Sequence, residues 1–338
     1  MTAQGPPKLF FLGGAGKILD AQRQAFPVLN RAYNKTFQPE RLSIGLVAPL
    51  EANRQDPIPS LDRHIDRAKR ADMLGFSALW LRDIPFNVPS FGDVGQIHDP
   101  FVYLGMLSVV TTDIALGIAS IILPLRHPAH IAKAAASVDE LSAGRLLLGV
   151  ASGDRPEEYP LMNMDFDSRG HSVQQSIDYI RAMGTAYPQA DLSYGRLSGT
   201  ADMLPKPVGP RLPLIITGGS QQSPEWVAQN GDGWMTYPRN AAVQGRLVAD
   251  YRRRAERLGA QNKPVMQSLY IDLQAQNDAP PEPIHLGFSS GIDYLKHYLH
   301  EIQALGINHV ALNLRFNQAD IDQTMDKLAN DLLPEFRT

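Results

Sequence analysis

Residues 114–154 read IALGIASIILPLRHPAHIAKAAASVDELSAGRLLLGVASGD and contain two apolar runs with an alanine-rich segment between them. The runs, at 114–122 and 145–150, consist mostly of apolar residues, which is typical of strands covered on both faces of a sheet. Residues 128–141 between them have the length of a helix, and Gly144 follows as a helix terminator. Two strands joined by a helix predict a parallel βαβ unit.

The same alternation continues along most of the chain. We expect eight strands, at residues 42–48, 76–81, 114–122, 145–150, 214–217, 233–236, 265–273 and 309–314. Helix patterns follow them at residues 61–74, from Asp99-Pro100 onward, and at 128–141, 171–183, 224–230, 241–258, 291–305 and 319–332. Eight strand–helix units predict an α/β fold of the (β/α)8 TIM-barrel class. A doubly wound open sheet is the rival, but no G-x-G-x-x-G motif follows the first strand.

Two segments interrupt this alternation. Residues 1–40 precede the first strand and are predicted to form an N-terminal extension, while residues 41–338 form one barrel domain. Residues 185–212 are rich in proline and glycine and predict an insertion before strand five. The glycine-rich segment 13–17 is not a phosphate-binding loop, because Phe11 stands where that motif needs its first glycine; a flexible arm is the better interpretation.

The composition excludes several classes of protein. The 338 residues include 32 Lys plus Arg and 35 Asp plus Glu, and a net charge of −3 offers no basic field for nucleic acid. No cysteine is present, so a redox enzyme of this sequence needs a bound cofactor. The nine histidines form no H-x-x-x-H or H-E-x-x-H pattern, and we expect no metal site. Since residues 114–125 are too few to span a bilayer, we expect a cytoplasmic protein without a membrane or nucleic-acid partner.

The chemistry of a TIM barrel is carried by the loops that follow its strands. Strand five leads through Gly218-Gly219-Ser220 into a helix that begins near Ser223-Pro224. Free backbone N–H groups and the positive end of the helix dipole at such a turn favour a phosphate group. The alternative is an ordinary glycine-rich turn in which Ser223 only caps the helix.

Three stretches resemble the bacterial luciferase-like flavin monooxygenases: LGIASIILP (116–124), DELSAGRLLLGVASG (139–153) and GGSQQSPEW (218–226). With other matches they keep their order and spacing from about residue 42 to residue 330. The resemblance implies a (β/α)8 barrel with a long insertion, in agreement with the alternation of strands and helices.

The resemblance also implies cofactor-binding roles. Ala119 and Ser120 fall where relatives have a bulged, often cis, peptide behind the flavin ring. Arg169 matches an arginine that binds the flavin phosphate, and Ser152 lies where some relatives place another arginine. The remaining phosphate contacts would come from the turn after strand five, at Gly218, Gly219, Ser220 and Ser223.

The substrate side departs from the family pattern. Relatives with luciferase-type chemistry carry Glu-His-His after strand two, whereas this chain has Asp83-Ile84-Pro85. Asp83 could still contact the flavin as a catalytic residue, or it could be a buried acid paired with Arg82 or Arg126. Arg315, after the last strand, is our second catalytic candidate and would hold an anionic substrate group, unless it forms a salt bridge instead. Aromatic residues that could wall the pocket are Phe86, Phe91, His98, Trp234, Tyr237 and Phe288, below a lid at residues 277–288.

The resemblance therefore implies a flavin-dependent oxidoreductase. The favoured function is an FMN-dependent monooxygenase that oxidises a small organic substrate with O2 through a peroxyflavin, with reduced FMN supplied by a separate reductase. The expected assembly is a homodimer, formed through the alanine-rich helix near residues 131–138. Two alternatives remain: a deazaflavin-dependent hydride-transfer enzyme, and a non-catalytic flavin-binding protein.

Overall fold

The computed structural model of the chain describes residues 25–52 and 58–336. Segment 13–17 and more than half of the predicted extension lie outside the described residues. The described strands are β1 (Ser43–Val47), β2 (Ala78–Leu81), β3 (Ala115–Ile122), β4 (Leu146–Ala151), β5 (Gln189–Leu192), β6 (Gly195–Ser198), β7 (Leu214–Thr217), β8 (Gly233–Thr236), β9 (Val265–Leu273), β10 (Glu282–Ile284), β11 (Gly287–Ser290) and β12 (His309–Asn313).

Eight of these strands close into a parallel barrel, which confirms the predicted fold. Their order is β1-β2-β3-β4-β7-β8-β9-β12, and β12 pairs with β1 to complete the ring. Ser43 lies opposite His309 at this closing seam, and Met235 lies opposite Met266 between β8 and β9. The loops after the strands therefore share one end of the barrel.

The helices pack around this barrel, and six of those described begin at a residue whose side chain caps the first turn. They are α1 (Arg31–Thr36), α2 (His64–Leu74), α3 (Pro100–Val110), α4 (Pro128–Leu141), α5 (Glu158–Leu161), α6 (Arg169–Met183), α7 (Pro224–Asn230), α8 (Ala241–Arg257), α9 (Ile292–Ala304), α10 (Ile321–Lys327) and α11 (Leu333–Phe336). At the start of α3, the Asp99 carboxylate accepts hydrogen bonds from the N–H groups of Phe101 and Val102, and Pro100 occupies the first turn. None of the helices within residues 25–52 and 58–336 is long and apolar enough to cross a membrane.

The barrel interior is filled by large side chains and closed from below by α1. The Trp80 ring occupies the interior, and a Cβ atom on Gly117 would lie 2.3 Å from it, so only glycine fits at that position. Tyr33 of α1 is fully buried, and its hydroxyl donates to the carbonyl oxygen of Asp232, just before β8 begins, at 2.6 Å. Residues 25–41 thus pack against the N-terminal ends of the strands, opposite the end that carries the loops after them.

Two hairpins lie outside the ring. Strands β5 and β6 pair antiparallel within the predicted insertion. Strands β10 and β11 form a second hairpin, and β11 continues the sheet beside the far half of β9. The segment predicted as a lid, residues 277–288, therefore contains sheet structure rather than only a loop.

Candidate active site

The carboxyl ends of β2, β3, β4, β7 and β8 surround a cavity of about 250 Å³. Seven of the ten predicted site residues line it: Asp83, Ala119, Ser120, Ser152, Gly218, Gly219 and Ser220. The other three, Arg169, Ser223 and Arg315, are not part of its wall. Tyr237 and Arg155 also line the cavity.

The turn after β7 exposes a row of backbone donors. Gly218, Ser220 and Gln221 have φ angles of 56°, 45° and 61°, in the left-handed region. In the part of the chain that the structure describes, the N–H groups of Gly219, Ser220 and Gln221 donate no hydrogen bond. A Cβ atom on Gly219 would meet nothing closer than 3.7 Å, so the approach to the main chain is open. Successive free N–H groups in such a turn form a concave anion site, and a phosphate fits them.

The first turn of α6 packs against the turn at residues 218–221, hereafter the phosphate turn. The side-chain amide of Gln222 donates to the carbonyl oxygen of Gly170 at 2.7 Å, and a Cβ atom on Gly170 would lie 2.9 Å from Cβ of Gln221. Arg169 precedes this contact; its guanidinium lies 3.6 Å from the Phe166 ring centre and donates to the Phe166 carbonyl oxygen at 2.6 Å. The Nε atom of Arg169 is buried without a hydrogen-bond partner in the described structure. Arg169 therefore flanks the phosphate turn with unused donor capacity.

Ser223 caps the helix that follows the turn. Its hydroxyl oxygen accepts a hydrogen bond from the N–H group of Trp226 at 3.2 Å, and Pro224 occupies the first turn of α7. This is the capping arrangement that the sequence allowed as an alternative. The hydroxyl hydrogen is not used by this bond.

The floor of the cavity is the irregular second half of β3. The peptide bond between Ala119 and Ser120 is cis, and the register against β4 shifts between Ile118 and Ile121. The Ser120 hydroxyl is hydrogen-bonded to the Thr217 hydroxyl across the cavity floor. Ser152, directly after β4, is buried, and its carbonyl oxygen accepts a hydrogen bond from the Tyr159 hydroxyl.

Asp83 holds the segment that follows this bulge. One carboxylate oxygen accepts from the Ile122 N–H at 3.0 Å, and the other lies 2.7 Å from Nη2 of Arg126. The side chain of Asp83 is only 1% exposed, and that of Arg126 is 26% exposed. The ion pair with Arg126, rather than with Arg82, is thus the arrangement present, and both oxygens of Asp83 have partners within the chain.

Asp93 is the centre of a second charged group above the barrel. Arg82 forms an ion pair with it, and Nη1 of Arg315 lies 3.2 Å from the same carboxylate. Burial alone would raise the pKa of Asp93, but Arg82, the Gly95 N–H and Arg315 outweigh it and hold the pKa below its ordinary value. Arg315 also donates to the carbonyl oxygen of Gly92. The salt-bridge alternative for Arg315 is therefore the arrangement that the structure contains.

Arg155 lines the cavity and was not singled out from the sequence. It is 5% exposed, its Nη2 donates to the Asp93 carbonyl oxygen at 3.1 Å, and its Nη1 is buried without a partner in the described structure. Burial lowers the pKa of Arg155; Glu158 opposes this shift, and the neighbouring Arg82 adds to it. One signal was available: Arg155 lies four residues after Ala151, in the loop that follows β4, where barrel chemistry is found.

Glu158 is a second buried charged group near this wall. The residue is fully buried, and its carboxylate oxygens make no hydrogen bond of good geometry within the described residues. Burial raises the pKa of Glu158, while Arg155 and the Phe86 N–H act in the opposite direction.

The aromatic residues predicted to wall one pocket lie in different places. Tyr237 lines the cavity described above, Trp234 lines a smaller neighbouring one, and His98 lines a third that Asp83 also borders. Phe288 instead packs between the rings of Tyr294 and Tyr298, with centroid distances of 5.0 and 5.2 Å. No group of three or more His, Asp or Glu residues within the described ranges is placed to hold a metal ion.

Comparison of the sequence with known proteins finds a family and partial relatives. The family model described as luciferase-like monooxygenase matches residues 42–282. An uncharacterised protein of Mycobacterium bovis is 33% identical over 150 residues, or 43% of this chain and 52% of that protein. The 4-hydroxyprotoasukamycin monooxygenase of Streptomyces nodosus subsp. asukaensis is 29% identical over 147 residues, or 43% of this chain and 38% of that enzyme. The matches thus span about half or less of these relatives.

Solved structures share the barrel at low sequence identity. The monooxygenase RslO1 from Streptomyces bottropensis has a TM-score of 0.72 at 17% identity, covering 87% of this chain and 100% of that one. An F420-dependent secondary alcohol dehydrogenase with an F420–acetone adduct also has a TM-score of 0.72 at 17% identity, covering 88% and 100%. The oxygenating constituent of 3,6-diketocamphane monooxygenase from Pseudomonas putida, in complex with FMN, has a TM-score of 0.68 at 14% identity, covering 88% and 99%.

Proposed function

The chain belongs to the luciferase-like monooxygenase family, and from this premise we propose that it is an FMN-dependent monooxygenase that oxidises a small organic substrate with O2. The observation that carries the proposal is the turn at residues 218–221, which lines the cavity and has three N–H groups without a partner among the described residues. Such a turn favours a ligand with a phosphate group. Reduced FMN has this group and supplies the electrons that activate O2.

The residues of the chain bind and orient this cofactor. Gly219, Ser220 and Gln221 would hold the phosphate with their backbone N–H groups, and Arg169 and Ser223 would complete the site from its edge. The N–H group of Gly218 already donates to the Met235 carbonyl oxygen at 2.8 Å, so Gly218 would shape the turn rather than donate to the phosphate. Arginine suits this role because its planar fork matches the geometry of a phosphate. Since Ser152 supplies no second positive charge at the end of β4, neutral donors would provide most of the binding.

The wall of the cavity would place the reacting end of the cofactor. Ala119 and Ser120 form a floor that Asp83 fixes indirectly, because its carboxylate binds the Ile122 N–H two residues later. In this proposal Asp83 positions the cofactor site by holding the Ile122 segment of β3 and the side chain of Arg126. Ile84, which lines the cavity next to it, is apolar, and an apolar wall helps to exclude water from the reacting atoms.

The proposal extends to two kinds of partner. A separate reductase would supply reduced FMN, since the luciferase-like family resemblance implies this division of labour. We also propose a homodimer, through α3 rather than through the alanine-rich helix. Ala132, Ala135 and Ala136 of α4 are buried within the chain itself, whereas Val102 and Val109 of α3 are 74% and 84% exposed. An exposed apolar helix face of this kind favours association with a second copy.

The test is a rapid-mixing experiment on the purified protein. Protein loaded with reduced FMN without oxygen is mixed with O2, and flavin absorbance and oxygen uptake are followed. We expect the bound flavin to reoxidise with kinetics clearly different from those of free reduced FMN. Tight FMN binding with reoxidation identical to the free flavin would instead favour a non-catalytic flavin-binding protein. Failure to bind FMN, with binding of the deazaflavin F420 and oxygen-independent hydride transfer, would establish the deazaflavin alternative.

A further inference from the structure

Arg155 is a buried cation with spare hydrogen-bonding capacity in the wall of the cavity. Its guanidinium lies 4.8 Å from the centre of the Phe91 ring, and one hydrogen bond, to the Asp93 carbonyl oxygen, holds Nη2. Nη1 has no partner, and Arg155 forms no ion pair within the described residues. Buried charges in proteins are normally paired, because an unpaired charge is costly to remove from water.

Three acids lie near Arg155, and none of them forms an ion pair with it within the described residues. Asp154 is exposed and lines the cavity beside Arg155. The carboxylate of Asp93 is already bound by Arg82 and Arg315, and it offers Arg155 only its backbone carbonyl oxygen. Glu158 lies in the adjacent turn, but it makes no ion pair with Arg155, and its own burial favours the neutral form. Arg155 therefore keeps a free donor in the wall of the cavity although Asp93, Asp154 and Glu158 lie close to it.

We propose that Arg155 binds an anionic group of the substrate, a carboxylate or a sulfonate, and thereby selects anionic organic substrates. A planar guanidinium with free N–H groups binds such a group through two parallel hydrogen bonds. This inference rests on the proposed function for the reaction that the bound substrate undergoes. The anion site itself does not depend on that function. Arg155 takes the role that the sequence suggested for Arg315, whose side chain is held by Asp93 and Gly92.

Arg155 lies in the loop after β4, the strand beside β7, but its side chain is held away from the phosphate turn. The contacts of this side chain are with Phe91 and Asp93 in the loop after β2, three strands from β7 around the barrel. The turn has donors of its own at Gly219, Ser220 and Gln221. Both groups line the same cavity, so one cofactor and one anionic substrate could occupy it together.

Calorimetric titration with three probes of equal chain length tests the proposal. Hexanoate and hexanesulfonate carry the two anionic groups, and hexan-1-ol is the neutral control; each is titrated with and without saturating FMN. We expect at least one of the two anions to bind the wild-type chain at least about tenfold more tightly than the alcohol. Equal affinities for all three probes would overturn the proposal without any variant.

Variants then assign the preference to Arg155. In Arg155→Gln we expect the anion preference to disappear, while Arg155→Lys retains part of it because the charge remains. Arg246→Gln removes a positive charge from the exposed side of α8 and should change nothing. Thermal unfolding checks that each variant is folded. If Arg155→Gln is not folded, Arg155→Lys replaces it in the test of the anion preference. An unchanged anion preference in folded Arg155→Gln would overturn the proposal.

FMN titration shows whether Arg155 binds the anionic group of a substrate or the phosphate of the cofactor. We expect Arg155→Gln to bind FMN within about twofold of the wild type, since the phosphate turn is intact. A tenfold loss of FMN affinity with retained anion preference would assign Arg155 to the cofactor phosphate and refute the substrate site. If the wild type binds no FMN, the proposed function fails, and the titrations without FMN still decide this inference.

Discussion

Trp80 Nε1 donates a hydrogen bond of 2.8 Å to His309 Nε2 in the interior of the barrel. Because Nε2 accepts this bond, the ring proton of neutral His309 must lie on Nδ1, where it points to the Ser43 hydroxyl at 2.7 Å. Ser43 in turn donates to the Thr36 carbonyl oxygen at 2.7 Å. This chain of hydrogen bonds links β2, β12, β1 and α1, and it requires the uncharged imidazole.

We expect the stability of the protein to fall as the pH drops below about 6.5, in part because of His309. Burial lowers the pKa of this histidine from 6.5 to about 3. Between these two values the unfolded chain binds a proton that the folded chain excludes, so stability is complete above pH 6.5 and is lost toward pH 3. The loss from this group is at most about 1.4 kcal/mol per pH unit.

Urea unfolding of wild type and His309→Gln at several pH values measures this effect. The variant is less stable at neutral pH but should show a flatter pH dependence between pH 6.5 and about 5. Parallel pH profiles for the two proteins would show that His309 is not the titrating group.

Substitution of Ser223 tests the capping arrangement. We expect Ser223→Ala to lower the free energy of unfolding by about 1 kcal/mol, because the Trp226 N–H loses its acceptor. FMN affinity should fall by no more than about threefold, since the backbone donors of the turn remain. Ser193→Ala, at an exposed position in the β5–β6 hairpin, is the control. If the loss in free energy of FMN binding exceeds the loss in free energy of unfolding, the Ser223 hydroxyl is a main ligand of the phosphate.

Arg169 should contribute directly to FMN binding. Its Nε atom is buried beside the phosphate turn and has no partner among residues 25–52 and 58–336. We expect Arg169→Ala to raise the Kd for FMN at least tenfold, or about 1.4 kcal/mol. Fluorescence titration measures the change, and Arg246→Ala is the matched control for loss of one positive charge. Unchanged FMN affinity in Arg169→Ala would contradict the phosphate role.

The barrel was predictable because its determinants are local. Apolar runs, proline at the first turn of helices and caps such as Asp99 are all visible within a few residues of sequence. The hairpin at residues 282–290 was missed because its prolines indicated a loop. Pro283 lies on β10, an edge strand opposite Phe288, where a missing N–H group is tolerated.

The charged groups of the site were only partly predictable. The loop positions of Asp83 and Arg315 follow from the barrel pattern, but their partners do not. Asp93 binds Arg315, which lies more than two hundred residues further along the chain, and no local pattern specifies that contact. Because Arg82 and Arg315 already bind the Asp93 carboxylate, Nη1 of Arg155 is left without a partner among the described residues. This free donor could be recognised only from the positions of the side chains.

The α3 face gives a testable basis for the proposed homodimer. We expect the wild type to have the mass of two chains in light scattering and Val109→Glu to have the mass of one, because a charge would be buried at the interface. Val28→Glu, at another exposed apolar position, should leave the mass unchanged. A wild-type protein with the mass of one chain would refute the dimer.

Asp83 can be tested both as a structural and as a catalytic group. We expect Asp83→Asn to lower the free energy of unfolding by about 2–3 kcal/mol, less than for a fully buried pair, because Arg126 keeps 26% of its side chain exposed. In a double-mutant cycle with Arg126→Gln, the two losses should not add, since both changes break the same ion pair. If Asp83→Asn is as stable as the wild type but loses flavin-dependent oxygen consumption, Asp83 acts on the flavin itself. Equal losses of stability and FMN affinity would instead show that it acts by holding the Ile122 segment of β3 behind the cofactor.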